Sequence, residues 1–214
     1  MYFLFVCTIN VVDFLWNLKK GEYMSQIKVT ETKLQGIKVV QPQVFRDNRG
    51  WFMEGYQYDI YSQAGIICTF VQDNLAYSKK DVLRGLHFQK KHQQDKLISV
   101  LHGKILDVVV DIRRNSATFG QWFSIELSAE SKKQLFIPKG FAHGYIVLSK
   151  DAEILYKCSE KYYPEEESGI LWNDKDLQID WQVEDEGKLI LSEKDKNGRH
   201  GRSFPADASI SYRG

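Results

Sequence analysis

Long hydrophobic runs are missing from this chain, and so is any excess of charge. Lys and Arg number 29 and Asp and Glu 28, a net charge of +1 over 214 residues. Such a balance gives no broad positive field for nucleic acid or an anionic membrane, so an anionic ligand must be held by a local cluster of cations. Cysteine is scarce: Cys7, Cys68 and Cys158 are odd in number and scattered, with no Cys-x-x-Cys. The simplest reading is reduced thiols in a cytoplasmic protein. Linkers, repeats and low-complexity stretches are absent too, and a chain of this length suits one sizeable core.

The first residues stand apart. Tyr2 to Val12 is apolar, but Asp13 interrupts it, and a bilayer span takes ~20 residues. No basic leader and no small-residue cleavage site precede Lys19-Lys20, which speaks against a signal peptide. Codons for Lys20-Gly21-Glu22 can contain AAGGAG, a ribosome-binding site just ahead of Met24. The expectation is a start at Met24, with residues 1–23 a non-native upstream extension; an extra strand is the alternative.

What the chain does have is short alternating runs between turn residues. Candidate strands cover 37–45, 51–57, 69–77, 82–88, 96–101, 104–112, 121–128, 133–137, 143–148 and 153–160. In the run from Lys104 to Ile112, Leu106, Val108, Val110 and Ile112 share one face, and Ile105, Asp107, Val109 and Asp111 the other. One short helix is expected over Tyr58 to Ala64, ended by Gly65. Many short strands at regular spacing predict an all-β jelly roll, sandwich or barrel, with a few short helices.

The most informative stretch is Asp81 to Gln89, which holds Arg84 and His87. A cation and an imidazole three residues apart suit a site that removes a proton and then holds the resulting negative charge. Downstream, Gln94-Asp95-Lys96, Ile137 to Gly144 and Leu155-Tyr156-Lys157 add the other parts of such a site.

Taken together, these motifs resemble the dTDP-4-dehydrorhamnose 3,5-epimerase family of cupin-type jelly rolls. The matching runs are Phe45 to Gly50, Val71 to Asn74, Leu83 to Gln89, Lys96-Leu97, Gly103 to Arg113 and Ser116 to Gly120. They continue through Ile137 to Gly144, Tyr156-Lys157, Trp172 to Asp174 and Leu191 to Asp195. The resemblance implies a single epimerase domain over 24–196; the tail over 197–214, polar and rich in Gly and Ser, is expected to be loosely held. It implies an isomerase of dTDP-rhamnose biosynthesis that needs no cofactor and no metal.

By resemblance His87 is the base and Asp195 its partner, Tyr156 the acid on the opposite face, and Lys96 with Arg84 the enolate stabilisers. His143 contacts the nucleotide sugar. Arg49, Glu54, Gln72, Asn74, Glu167 and Lys194 match residues that hold the thymidine and diphosphate, and Phe45 and Phe52 are candidate base platforms. The nucleotide sugar is the expected partner, together with a second copy in a homodimer whose site is partly shared. On composition alone the readings are plainer: Phe45 and Phe52 as core, Tyr156 as a half-buried strand residue, Lys96 as an edge lysine and Asp195 as a surface acid. Two positions depart from the pattern: Leu75-Ala76-Tyr77 replaces small hydroxyl residues, and Asp95 precedes Lys96.

Three rival readings compete with this one. A metal-dependent cupin has the Pro138-x-Gly140-x-x-His143 half of its motif, but His87-Phe88-Gln89 lacks the histidine pair and glutamate of the other half. A non-catalytic sugar-binding jelly roll does not account for base, acid and lysine together. An epimerase acting at C3 only or C5 only uses the same residues and stays open.

Overall fold

The computed structural model describes residues 26–197; the expectations for residues 1–23 and for the tail from 198 onward lie outside this range. Two antiparallel sheets face each other. The first has six strands: β1 (Ile27–Glu31), β2 (Lys38–Pro42), β5 (Gln72–Lys79), β7 (Lys96–His102), β10 (Gln134–Ile137) and β12 (Asp151–Cys158), in the order β1-β2-β10-β7-β12-β5. The second has β6 (Leu83–Gln89), β8 (Lys104–Asp111), β9 (Trp122–Ser128), β11 (Phe141–Val147) and β13 (Glu167–Gly169), in the order β13-β6-β11-β8-β9. A separate hairpin pairs β3 (Phe45–Asp47) with β4 (Gly50–Phe52). The sheets do not close into one ring, so the jelly roll is a sandwich.

The core between the sheets holds Ile98, Val100, Ile105, Val109, Leu127, Leu135, Tyr145 and Ile154, contributed by both layers. The other face of β8, with Leu106, Val108, Val110 and Ile112, packs under Trp172, Leu177 and Trp181 of the C-terminal segment. Each face of that strand therefore meets a different core, which is why its alternation carries so little polar character. A third cluster covers the first sheet with Tyr61 of α1 (Tyr58–Gln63), whose N-terminus is capped by the Gln57 side chain accepting from Ile60 N at 2.7 Å.

Several boundaries differ from the sequence reading. The expected strand 37–45 stops at Pro42, which has no N–H to continue the ladder. The run 51–57 shortens to the hairpin strand ending at Phe52. Strands β1 and β13 and helix α2 (Glu193–Asn197) were not expected. β1 does alternate, Ile27 and Val29 against Lys28 and Thr30, but lies ahead of Gly36, where the expected strands begin; β13 spans three residues, too few for a periodic signal. Among the described residues no helix is long and apolar enough to cross a membrane.

Candidate active site

The alternation of a regular strand would put Arg84 and His87 on opposite faces, being an odd number of residues apart. The β6–β11 register prevents this: His143 pairs with His87 but Tyr145 with Arg84, so β6 carries one extra residue and both side chains line the same cavity. Gly85 makes the irregularity possible. Its φ is +129°, and a Cβ there would sit 2.5 Å from Gly144 Cα and 2.9 Å from the His143 carbonyl oxygen. The cavity, about 200 Å³, opens between the sheets and is also lined by Asn74, Lys96, Tyr156, Cys158 and Glu167.

His87 Nε2 lies 2.5 Å from Asp195 Oδ1. The carboxylate reaches it because the C-terminal segment, after covering the second sheet, bonds back to β6 through Ile190 and enters α2. Ser192 fixes the turn: its hydroxyl accepts from Asp195 N at 3.1 Å and donates to Asp195 Oδ2 at 2.8 Å. Burial would push the Asp195 carboxyl up, but the bond and charge of His87, with Ser192, hold it below the usual range. Burial also lowers His87, more than Asp195 offsets, so the neutral imidazole prevails near pH 7. With Nε2–H given to Asp195, Nδ1 carries the basic lone pair.

His143 pairs differently. Its Nε2 sits 3.0 Å from both oxygens of Asp107, and both residues are buried. The sequence reading did not single out Asp107. The signal was there: an acid between Ile105 and Val109 on a core-facing strand face must have a buried partner.

Lys96 reaches the cavity from β7. Burial lowers its ammonium from the ordinary lysine value, while Cys158 and Asp107 oppose the fall. Asp95 does not neutralise it: that carboxylate accepts from Lys139 N at 3.0 Å and from Ser159 Oγ at 2.8 Å. Tyr156 enters from β12, its ring edge-on to His143 with centroids 6.1 Å apart. Burial pushes its hydroxyl well above the usual tyrosine value, and the Arg84 guanidinium pulls against that rise.

The nucleotide candidates divide into two groups. Asn74 and Glu167 line the cavity; Lys194 is ion-paired with Glu167, which also accepts from the Tyr162 hydroxyl. Gln72 stands at the same edge, donating to Asn74 Oδ1 at 2.9 Å and accepting from Tyr162 N at 3.1 Å. Phe45, Arg49, Glu54 and Phe52 do not line the cavity. Phe45 and Phe52 are 36% and 54% exposed, so they are not core residues either. Arg49 folds back on Asp47 at 2.6 Å across the hairpin turn, and Glu54 keeps one buried carboxylate oxygen without a partner. Of the departing residues, Leu75 and Tyr77 are exposed and Asn74 keeps its place at the cavity. Among the described residues no cluster of three His, Cys, Asp or Glu side chains is arranged for a metal ion.

A dyad of buried carboxylate and basic imidazole, a lysine and a tyrosine around one cavity is equipped for proton transfer at carbon. The family model described as dTDP-4-dehydrorhamnose 3,5-epimerase matches residues 31–201. A dTDP-4-dehydrorhamnose 3,5-epimerase of Methanothermobacter thermautotrophicus is 46% identical over 182 residues, 85% of this chain and 98% of that one. Its counterpart from Pseudomonas aeruginosa is 47% identical over 174 residues, 81% and 95% of the two chains. Among solved structures, a dTDP-6-deoxy-D-glucose-3,5-epimerase of Legionella pneumophila in complex with dTDP-4-keto-L-rhamnose superposes with a TM-score of 0.82 at 43% identity, covering 88% of this chain and all (100%) of that one. Spread over nearly the whole described fold, these likenesses agree with the cavity's chemistry: the chain belongs to the dTDP-4-dehydrorhamnose 3,5-epimerase family.

Proposed function

We infer that this protein is an isomerase that inverts C3 and C5 of dTDP-4-dehydro-6-deoxy-D-glucose to give dTDP-4-dehydro-L-rhamnose, a step toward dTDP-L-rhamnose for cell-surface polysaccharide. The observation that carries the reading is the His87–Asp195 pair set in one cavity with Lys96 and Tyr156. Each proton removed lies beside the C4 carbonyl, so its loss gives an enolate. His87 takes the proton and Asp195 steadies the imidazolium. Lys96 and Arg84 hold the C4 oxygen as charge develops, a contribution typically of ~10²–10³ per donor, and His143 contacts the sugar. Tyr156 returns a proton from the opposite face, and the sequence repeats at the second carbon.

The diphosphate is held by Lys194, Gln72 and Asn74 at the cavity edge, with Glu167 on the nucleoside. Phe45, Arg49, Glu54 and Phe52 serve the nucleotide site of a second subunit, which makes the working form a homodimer. The exposure of Phe45, Arg49 and Phe52 on a hairpin away from their own cavity supports this reading. The free thiols Cys68 and Cys158 suit a cytoplasmic enzyme.

Purified protein incubated with the D-configured 4-keto sugar nucleotide is expected to form the L-configured product, read by proton NMR. Unchanged substrate after long incubation at high enzyme concentration would contradict the assignment.

A further inference from the structure

Two stretches of chain cross between the sheets beside the cavity. Residues 90–95 lead from β6, the strand of His87, to β7, the strand of Lys96. Residues 159–166 lead from β12, the strand of Tyr156, to β13, which pairs with β6 at Glu167↔Gln89. Both crossings line the cavity, the first through Gln93 and Gln94 and the second through Tyr162. The chemistry above gives no role to what joins them.

The joint is Gln89, at the end of β6 and 5% exposed. Its Nε2 donates to the His92 carbonyl at 2.5 Å and to the Lys161 carbonyl at 3.1 Å, and its Oε1 accepts from Tyr163 N at 2.6 Å. An amide has two hydrogens to donate and an oxygen to accept, and all are engaged here. Lys161 and Tyr163 are the neighbours of Tyr162 on either side. Tyr162 in turn donates its N–H to Gln72 Oε1 and its hydroxyl to Glu167. Outside this grip, Glu166 accepts from His92 N at 2.9 Å and from His92 Nδ1 at 2.8 Å, and the His92 ring stacks on Tyr163 with centroids 4.4 Å apart. Gln94 Nε2 adds a bond to the Glu160 carbonyl at 2.8 Å.

We propose that Gln89 is a positioning residue for nucleotide binding: by gripping the chain on both sides of Tyr162 it sets Gln72 and Glu167 at the cavity edge, with His92 and Glu166 as an outer latch. The inference rests on the reading of that edge as the nucleotide site. Gln89 acts through the edge and takes no part at the reacting carbons. A displaced edge loosens the hold on substrate and transition state alike, which raises KM and leaves kcat in place. A glutamine that only supported the fold would behave in the opposite way. Its loss would reduce the amount of folded enzyme, and so the apparent kcat, with KM unchanged.

Gln89→Glu keeps the shape of the side chain but has no hydrogen to give, and it sets a carboxylate against two carbonyl oxygens. We expect KM for the 4-keto sugar nucleotide and Kd for dTDP to rise together by about tenfold, the scale of a buried hydrogen bond left unmade, with kcat within about twofold of wild type. His92→Ala alters a side chain that is 48% exposed, so it keeps the test open should Gln89→Glu fail to fold. It removes one hydrogen bond and the ring stack, and should raise both constants by about threefold. An unchanged KM or Kd in either folded variant, or a loss carried by kcat rather than KM, would overturn the proposal. Wild-type dTDP affinity in Lys194→Ala would instead remove the nucleotide edge beneath it, a separate failure.

Discussion

His87 and His143 are register partners on the antiparallel strands β6 and β11, and each imidazole is held by its own carboxylate, Asp195 at 2.5 Å and Asp107 at 3.0 Å. The two dyads sit in different surroundings. The His87 side chain keeps 29% of its surface exposed, whereas His143 keeps 5%. An imidazole that must gain and lose a proton needs that access. His143, buried with its Nε2 on Asp107, has no such access.

The first prediction follows from this contrast. His87→Asn should preserve the fold, because the side chain is only partly buried, yet lower turnover by ~10²–10⁴-fold, the usual contribution of a general base. A loss below about tenfold, measured under saturating substrate, would move the base elsewhere.

Asp195→Asn tests the partner through pH. Burial already lowers His87 from 6.5, so the acid limb of kcat/KM should lie below that value: activity is full above it and lost as His87 gains its proton. Asp195 favours the imidazolium, so its removal should move the limb to still lower pH while the maximal rate falls. An upward move would contradict the pairing.

At high pH the lysine should titrate first. Burial lowers Lys96 and raises Tyr156, so the ammonium is lost below 10.5 while the phenol keeps its proton to well above 10. The alkaline limb of kcat is therefore expected to belong to Lys96. Lys96→Arg, which stays charged, should flatten that limb even if the rate is reduced. A limb unchanged in Lys96→Arg would assign it to another group.

Assembly can be tested by complementation. Arg49→Ala and His87→Ala should each be nearly inactive alone. Mixed and re-associated, they should regain activity, since one site in the mixed dimer has both residues intact. A mixture no better than its parts would place Arg49 outside any shared site.

Much of this arrangement was legible in the residues, and the remainder was hidden for identifiable reasons. Period two in Lys104 to Ile112 marked β8, yet the same alternation could not say that Asp107 meets His143, because that contact depends on the register of β11. The Arg84–His87 spacing pointed to chemistry, but their shared face depends on the extra residue in β6. Asp195 read as a surface acid by itself. It is 6% exposed because Trp172 and Trp181 anchor the returning segment, a long-range effect that no local pattern carries. Phe45 and Phe52 show the opposite error: apolar residues assigned to the core on composition stand exposed on a hairpin.

The most direct test of the account is solvent deuterium incorporation into dTDP-4-dehydro-6-deoxy-D-glucose, followed by NMR at each ring carbon. The account predicts exchange at both C3 and C5 with the wild-type protein and at neither with His87→Asn. Exchange at one carbon only would contradict double epimerisation, and exchange at both in His87→Asn would contradict the base on which the mechanism rests.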